Sequence, residues 1–146
     1  MSSERSATRR KLQPARNDRR FTVADANAAL VFVRRVVRDI VRNHGELMAL
    51  RREREELVLA SAATERLTFV SESIESHVQR LGLLGQELRE VGCELKDWSL
   101  GLVDFPAEID GRTVCLCWML DEPAITHWHE TTEGYAGRKL LDERFA

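Results

Sequence analysis

The residues with the most chemical potential lie in the last third of the chain. They fall within Gly101-Leu-Val-Asp-Phe-Pro-Ala-Glu-Ile109, Arg112-Thr-Val-Cys-Leu-Cys-Trp-Met-Leu120 and Ile125-Thr-His-Trp-His-Glu130. Cysteine sulfur and histidine nitrogen are good zinc ligands, and alternate residues of a strand project to one side. Cys115, Cys117, His127 and His129 are therefore candidate metal ligands. The same residue types could instead build a nucleophilic site: Cys117 as thiolate, His129 or His127 as base, Asp104 as the group that orients it. Nothing in the sequence marks an oxyanion hole for that chemistry. A third element is the loop Gly134-Tyr-Ala-Gly-Arg138. Arg138 there either clasps an anionic ligand or pairs with an acid such as Glu122 or Glu130. The plain alternative for the whole region is small residues packed under the C-terminal segment, with Asp104 hydrogen-bonded to backbone.

Which of these residues can meet depends on strand parity. Asp110-Gly111 is a two-residue hairpin signal, and it sets Ile109 opposite Arg112. Val103, Phe105, Ala107, Val114, Leu116 and Trp118 then share one apolar face. Asp104, Pro106, Glu108, Thr113, Cys115 and Cys117 share the other, with Asp104 directly across from Cys117. The third strand has two registers. If Leu120 faces Ala124, His127 lies beside Cys117, His129 beside Cys115, and Trp128 joins the apolar face. If Leu120 faces Ile125, the histidines turn into the core and the cluster dissolves. Burial of Trp128 in preference to two imidazoles favours the first register.

The scaffold for this sheet is helical. Thr22 with Asp25 three residues on is a variant capping box, and Phe21 is placed as a staple residue. Val23, Ala26, Leu30, Val33, Val37, Ile40, His44 and Leu47 recur at spacings of three and four, as does a second stripe from Leu67 to Val91. Gly92 sits where a left-handed cap is expected. A turn near residue 61 makes facing positions sum to about 121, so Leu30 meets Val91, Val37 meets Leu84, and His44 meets His77. Those two histidines either bridge a metal or turn to the edge toward water or a carboxylate. Two helices of 30 or more residues outrun a strand of six or seven, so the distal stripe of Leu47, Leu50, Leu57, Leu67, Val70 and Ile74 has no sheet to cover it.

The totals narrow the class. The chain of 146 residues is long enough for one domain with one core. Its net charge of −2 is unevenly spread. Residues 1–20 hold seven Lys and Arg against two acids, a local +5, which leaves −7 for the remainder. An acidic body is poorly suited to phosphate backbones, and the basic tail gives only weak grounds for nucleic-acid binding. Three cysteines form no disulfide framework and suit a reducing compartment. No run approaches a membrane span, and the N-terminus lacks the apolar core of a secretory signal.

Phe21-Thr-Val-Ala-Asp-Ala-Asn27, Leu95-Lys-Asp97, Gly101-Leu-Val-Asp-Phe-Pro-Ala107, Leu116-Cys-Trp118, Glu122-Pro123, Trp128-His-Glu130 and Gly134-Tyr-Ala-Gly-Arg138 occur in one order. In this the chain resembles the bacterial domain of unknown function 2203 family over residues 21 to 140. The resemblance implies no activity, substrate or cofactor. It points to Asp104, Cys117, Trp118, Glu122, Trp128, His129 and Arg138 as motif positions, and away from Cys115 and His127. It also implies a glycine where Asp121 stands.

The expected architecture is α+β: a disordered basic tail (1–20), a coiled-coil-like antiparallel helical hairpin (21–93), and a three-stranded antiparallel meander with a C-terminal loop (94–146). The leading functional expectation is a non-catalytic cytoplasmic protein that self-associates or binds a protein partner through its helical arm. The alternative is a metal- or small-ligand-binding protein, zinc being the candidate ion, that uses Asp104, Cys117, Glu122, His129 and Arg138.

Overall fold

The computed structural model of the chain describes residues 19–62 and 64–146. The basic tail lies outside them except for Arg19 and Arg20. Helix α1 (Val23–Leu59) starts at a full capping box: Thr22 Oγ1 accepts from the Asp25 N–H at 3.0 Å, and Asp25 Oδ2 accepts from the Thr22 N–H at 3.2 Å. The Thr22 backbone and hydroxyl contacts hold the Asp25 carboxyl below its ordinary value. Phe21 is buried edge-on against Phe105, 5.2 Å between centroids, and its N–H bonds the Pro106 carbonyl at 2.7 Å. The start of α1 is thereby fixed to the sheet.

Helix α2 (Thr64–Val91) runs back antiparallel and stops at Gly92, whose φ of +109° is the left-handed conformation glycine adopts without strain. The Arg19 guanidinium donates to the last helical carbonyl, that of Val91, at 2.9 Å. Cross-links between the helices follow the expected antiparallel pairing: Arg66 with Glu53, and His77 with Glu46. His77 does not form a bridge with His44. Its Nδ1–H donates to the Ser73 carbonyl at 2.8 Å and its Nε2 meets Glu46 at 2.9 Å. The Ser73 carbonyl, then Glu46, raise its pKa. A carbonyl one turn back and a carboxylate of the facing helix thus engage both ring nitrogens.

The apolar stripes close on each other over most of the arm. Leu30, Val33, Val37, Ile40 and Leu47 of α1, and Val70, Ile74, Leu81, Leu84 and Leu88 of α2, are buried. No sheet covers the distal stripe, and the helices close it in part between themselves: Leu47, Val70 and Ile74 are buried, Leu50 and Leu57 are partly buried, and among the described residues Val58, Leu59 and Phe69 are well exposed near the tip.

One antiparallel sheet follows, in the order β1 (Glu94–Asp97), β2 (Leu102–Ile109), β3 (Arg112–Met119), β4 (His127–Glu130) and β5 (Lys139–Leu140). Its centre is the expected three-stranded meander. Short edge strands extend it on both sides. β1 is polar and interrupted by a bulge between Leu95 and Asp97, and β5 has two residues, so neither carries a periodic signal. Ile109 pairs with Arg112 and Asp104 with Cys117, as the Asp-Gly turn dictates. Cys115 pairs with His129, Leu116 with Trp128, and Cys117 with His127, which is the first of the two registers. Trp128 accordingly joins Phe105, Leu116 and Trp118 on the buried face against the helices. Gly101 (φ +73°) lies where an added Cβ would come within 2.8 Å of the Val37 side chain and 2.9 Å of that of Leu120, so α1 side chains pack directly on the glycine there. Asp121 takes φ +84°, which fits the glycine the resemblance implies at this turn.

Candidate functional site

The face of the sheet turned away from the helices would ordinarily be solvated. At its centre it is not. Asp104 of β2, Cys117 of β3 and His129 of β4 are 4%, 0% and 3% exposed. Strand pairing brings them together: Asp104 is the direct partner of Cys117, and His129 lies one residue pair along, opposite Cys115. One ligand atom from each of the three lies within 4.8 Å of the other two.

Hydrogen bonding fixes the protons. His129 Nδ1 faces the Glu130 carbonyl at 2.7 Å, and a carbonyl only accepts, so Nδ1 bears hydrogen. Its Nε2 faces Asp104 Oδ1 at 2.9 Å, and that contact needs one further proton shared between ring and carboxyl. Burial raises the Asp104 carboxyl, against the opposing pull of His129. Burial also pushes the Cys117 thiol up to about 12, helped by the Asp104 charge and by a hydrogen bond from the thiol to that carboxyl. Cys115 rises to about 11 for the same first reason.

This arrangement opposes nucleophilic catalysis. A base must have one nitrogen on its orienting acid and the other free toward the nucleophile. Here one nitrogen is held by a carbonyl and the other by Asp104, while the sulfur is buried and protonated. In native protein at pH 7.5, iodoacetamide should leave Cys93 and Cys117 unmodified and label Cys115 slowly, with all three labelled after unfolding. Peptide mass spectrometry reads the outcome, and rapid native labelling of Cys117 would restore the nucleophile.

The same geometry suits a metal ion. Zinc binds sulfur at about 2.3 Å and nitrogen or oxygen at about 2.0–2.2 Å, so its tetrahedral ligands stand roughly 3.3–3.8 Å apart. No two of the three donor atoms are more than 4.8 Å apart, and Nε2 and Oδ1 at 2.9 Å need only open slightly, so shifts of about 1 Å or less reach that spacing. His129 also has the outer contact typical of a ligating imidazole, a second nitrogen donating to a backbone carbonyl, which leaves Nε2 as the ligand.

Beside the trio stands a second group. The Arg138 side chain is 10% exposed, and its Nη2 donates to Glu122 Oε2 and to His127 Nδ1, the latter at 2.7 Å. Glu122 is the acid partner; Glu130 instead takes Arg112, at 3.0 and 2.7 Å. Glu122 Oε1 accepts from the Met119 N–H at 2.7 Å, and its own carbonyl accepts from the Trp118 indole at 2.9 Å. The guanidinium lies 4.8 Å from the Tyr135 ring centroid. His127 is on the correct face, but its Nδ1 is occupied by Arg138 and Thr126, and it stands outside the trio. Cys115 is outside it too. Lys96 of β1, paired with Glu94, brings its charge to bear on Asp104. Sequence reasoning missed Lys96 because its strand was not recognised; Leu95-Lys-Asp97 held the only trace.

No curated protein and no solved structure matches the chain. A family model described as uncharacterized conserved protein (DUF2203) matches residues 19–141, which takes in both helices and all five strands. The chain belongs to this family of uncharacterized conserved proteins.

Proposed function

We propose that the protein binds a divalent transition metal, zinc by its ligand set, through Asp104 Oδ, Cys117 Sγ and His129 Nε2. The observation that carries this reading is the convergence of three such donor atoms, from three adjacent strands, within 4.8 Å and under cover from solvent. Soft sulfur, imidazole and carboxylate together match zinc better than magnesium or calcium, which take oxygen sets. Three protein ligands leave a fourth position for water or an added donor. A thiol-bearing centre of this kind suits a reducing, cytoplasmic setting. No helix among the described residues is long and apolar enough to cross a membrane.

The test is native mass spectrometry with elemental analysis, on protein stripped by chelator and then given zinc. One zinc per chain is expected, and none in Cys117→Ala, a variant that removes a donor with little loss of packing. Zinc-free wild type, or zinc retained by Cys117→Ala, overturns the reading.

The arm favours a second role, contact with another copy of the chain, on one observation: Val58, Leu59 and Phe69 are exposed near its tip. The same spectra read it. A dimer that dissociates in Phe69→Glu carries it, and a monomer at all concentrations removes it.

A further inference from the structure

Arg138 holds an unexplained atom. The side chain is nine-tenths buried and Nη2 is doubly engaged, yet Nη1 is buried with no acceptor. Leaving a buried donor unpaired is costly, and more so when the group is charged. The Tyr135 ring at its side offers a π face to the cation, which does not satisfy an N–H. Glu122 meets Nη2 alone, and its other oxygen accepts from the Met119 N–H.

The location of this atom narrows what would satisfy it. Nη2 is fastened to His127, and His127 is the direct cross-strand partner of Cys117 on the same face. Directly opposed side chains in an antiparallel pair stand about 4.5–5.5 Å apart at Cβ. The guanidinium is therefore tied to the cross-strand partner of Cys117, and its charge acts on the Cys117 sulfur. A neutral thiol is a weak acceptor, which leaves Nη1 without a good partner. A metal changes the sulfur. Bound to a metal, Cys117 would be a thiolate, its proton released to solvent, and its remaining lone pairs would be strong acceptors for a nearby charged donor.

We propose that Arg138 is the positioning residue of the metal centre, its Nη1 donating a hydrogen bond to the metal-bound Cys117 sulfur. The inference rests on the metal-binding reading and goes beyond it. It says which second group the site requires and why Arg138 carries a spare donor into a buried place. Outer contacts of this kind typically account for about 10–100-fold in metal affinity. Lysine is not an equivalent: a single ammonium cannot serve Glu122 and His127 on one side and a sulfur on the other.

Cobalt(II) in the full-length protein is the probe, because its sulfur-to-cobalt charge-transfer band reports the energy of the sulfur electrons. An N–H donor lowers that energy, so its removal moves the band to longer wavelength. Arg138→Met and Arg138→Lys should both load cobalt, show the band shifted to longer wavelength, and bind zinc about 10–100-fold more weakly in competition with a chromophoric chelator. Glu122→Gln disturbs the same loop but keeps Nη1 and takes a negative charge away from the sulfur, so its band should not move to longer wavelength. An unmoved band in loaded Arg138→Met, or an equal shift in Glu122→Gln, overturns the proposal and leaves the centre standing. Wild type that takes up no cobalt or zinc overturns the centre itself, and the proposal with it.

Discussion

His129→Ala should lower the stability of the metal-free protein by about 3–5 kcal/mol, the cost of leaving a buried charge without its partner. In wild type, ring and carboxyl compensate each other at 2.9 Å with both side chains almost fully out of water. Truncating the ring leaves Asp104 facing a cavity, with only the Cys117 thiol and the more distant Lys96 to answer it. The pH dependence has a definite sign. Asp104 is raised in the fold, so its protonated form is the favoured one there, and its contribution is lost as pH rises through the folded value. The variant should therefore be most impaired at neutral pH and recover part of the loss as pH falls toward the carboxylate range. Urea denaturation at pH 7 and pH 4.5 reads both quantities. Asp104→Asn with His129→Leu removes the charge and the ring together and should cost less than His129→Ala alone. A loss below about 1 kcal/mol for His129→Ala would mean that the pair is not buried as described.

Zinc binding should release two protons per ion at pH 6, one from Cys117 and one from the position shared by His129 Nε2 and Asp104. The Nδ1 hydrogen stays, because the Glu130 carbonyl still requires it. Apparent affinity should then rise about 100-fold for each pH unit around pH 6, since ligands must deprotonate to bind. Calorimetry in buffers of different ionisation enthalpy counts the protons directly. The exchange of one divalent ion for two protons also leaves the net charge of the buried cluster unchanged, and so avoids the large cost of carrying new charge into a poorly solvated place. Release of no protons would mean that zinc sits elsewhere on the chain.

Much of the central geometry could be read from residue spacing. Asp110-Gly111 alone decides that Asp104 meets Cys117, because a two-residue turn leaves one pairing and side chains alternate with period two. The β4 register needed a further argument, the burial of Trp128, since nothing in Asp121-Glu-Pro-Ala124 fixes the length of that connection. Three things were out of reach. Burial of the polar face depends on the 134–138 loop and on β1, whose few residues carry no periodicity. The direction of each His129 nitrogen is decided by a backbone carbonyl, which no sequence pattern encodes. The pairing of Arg138 with Glu122 and not Glu130 follows from Arg112 having claimed Glu130 across the neighbouring strands. The stripe of the helical arm was legible, but the extent to which α1 and α2 bury it between themselves was not.

His127 and His129 make β4 ambiguous in alignment. A slide by one position would drive Trp128 outward and is excluded by the core. A slide by two would keep every face and carry His127 to the place of His129, opposite Cys115. Two arginines oppose it from either side: Arg112 would lose Glu130, and Arg138 would lose the ring it grips. These contacts on the polar face thus serve as a check on strand alignment, deciding which of two chemically equal histidines is delivered to Asp104.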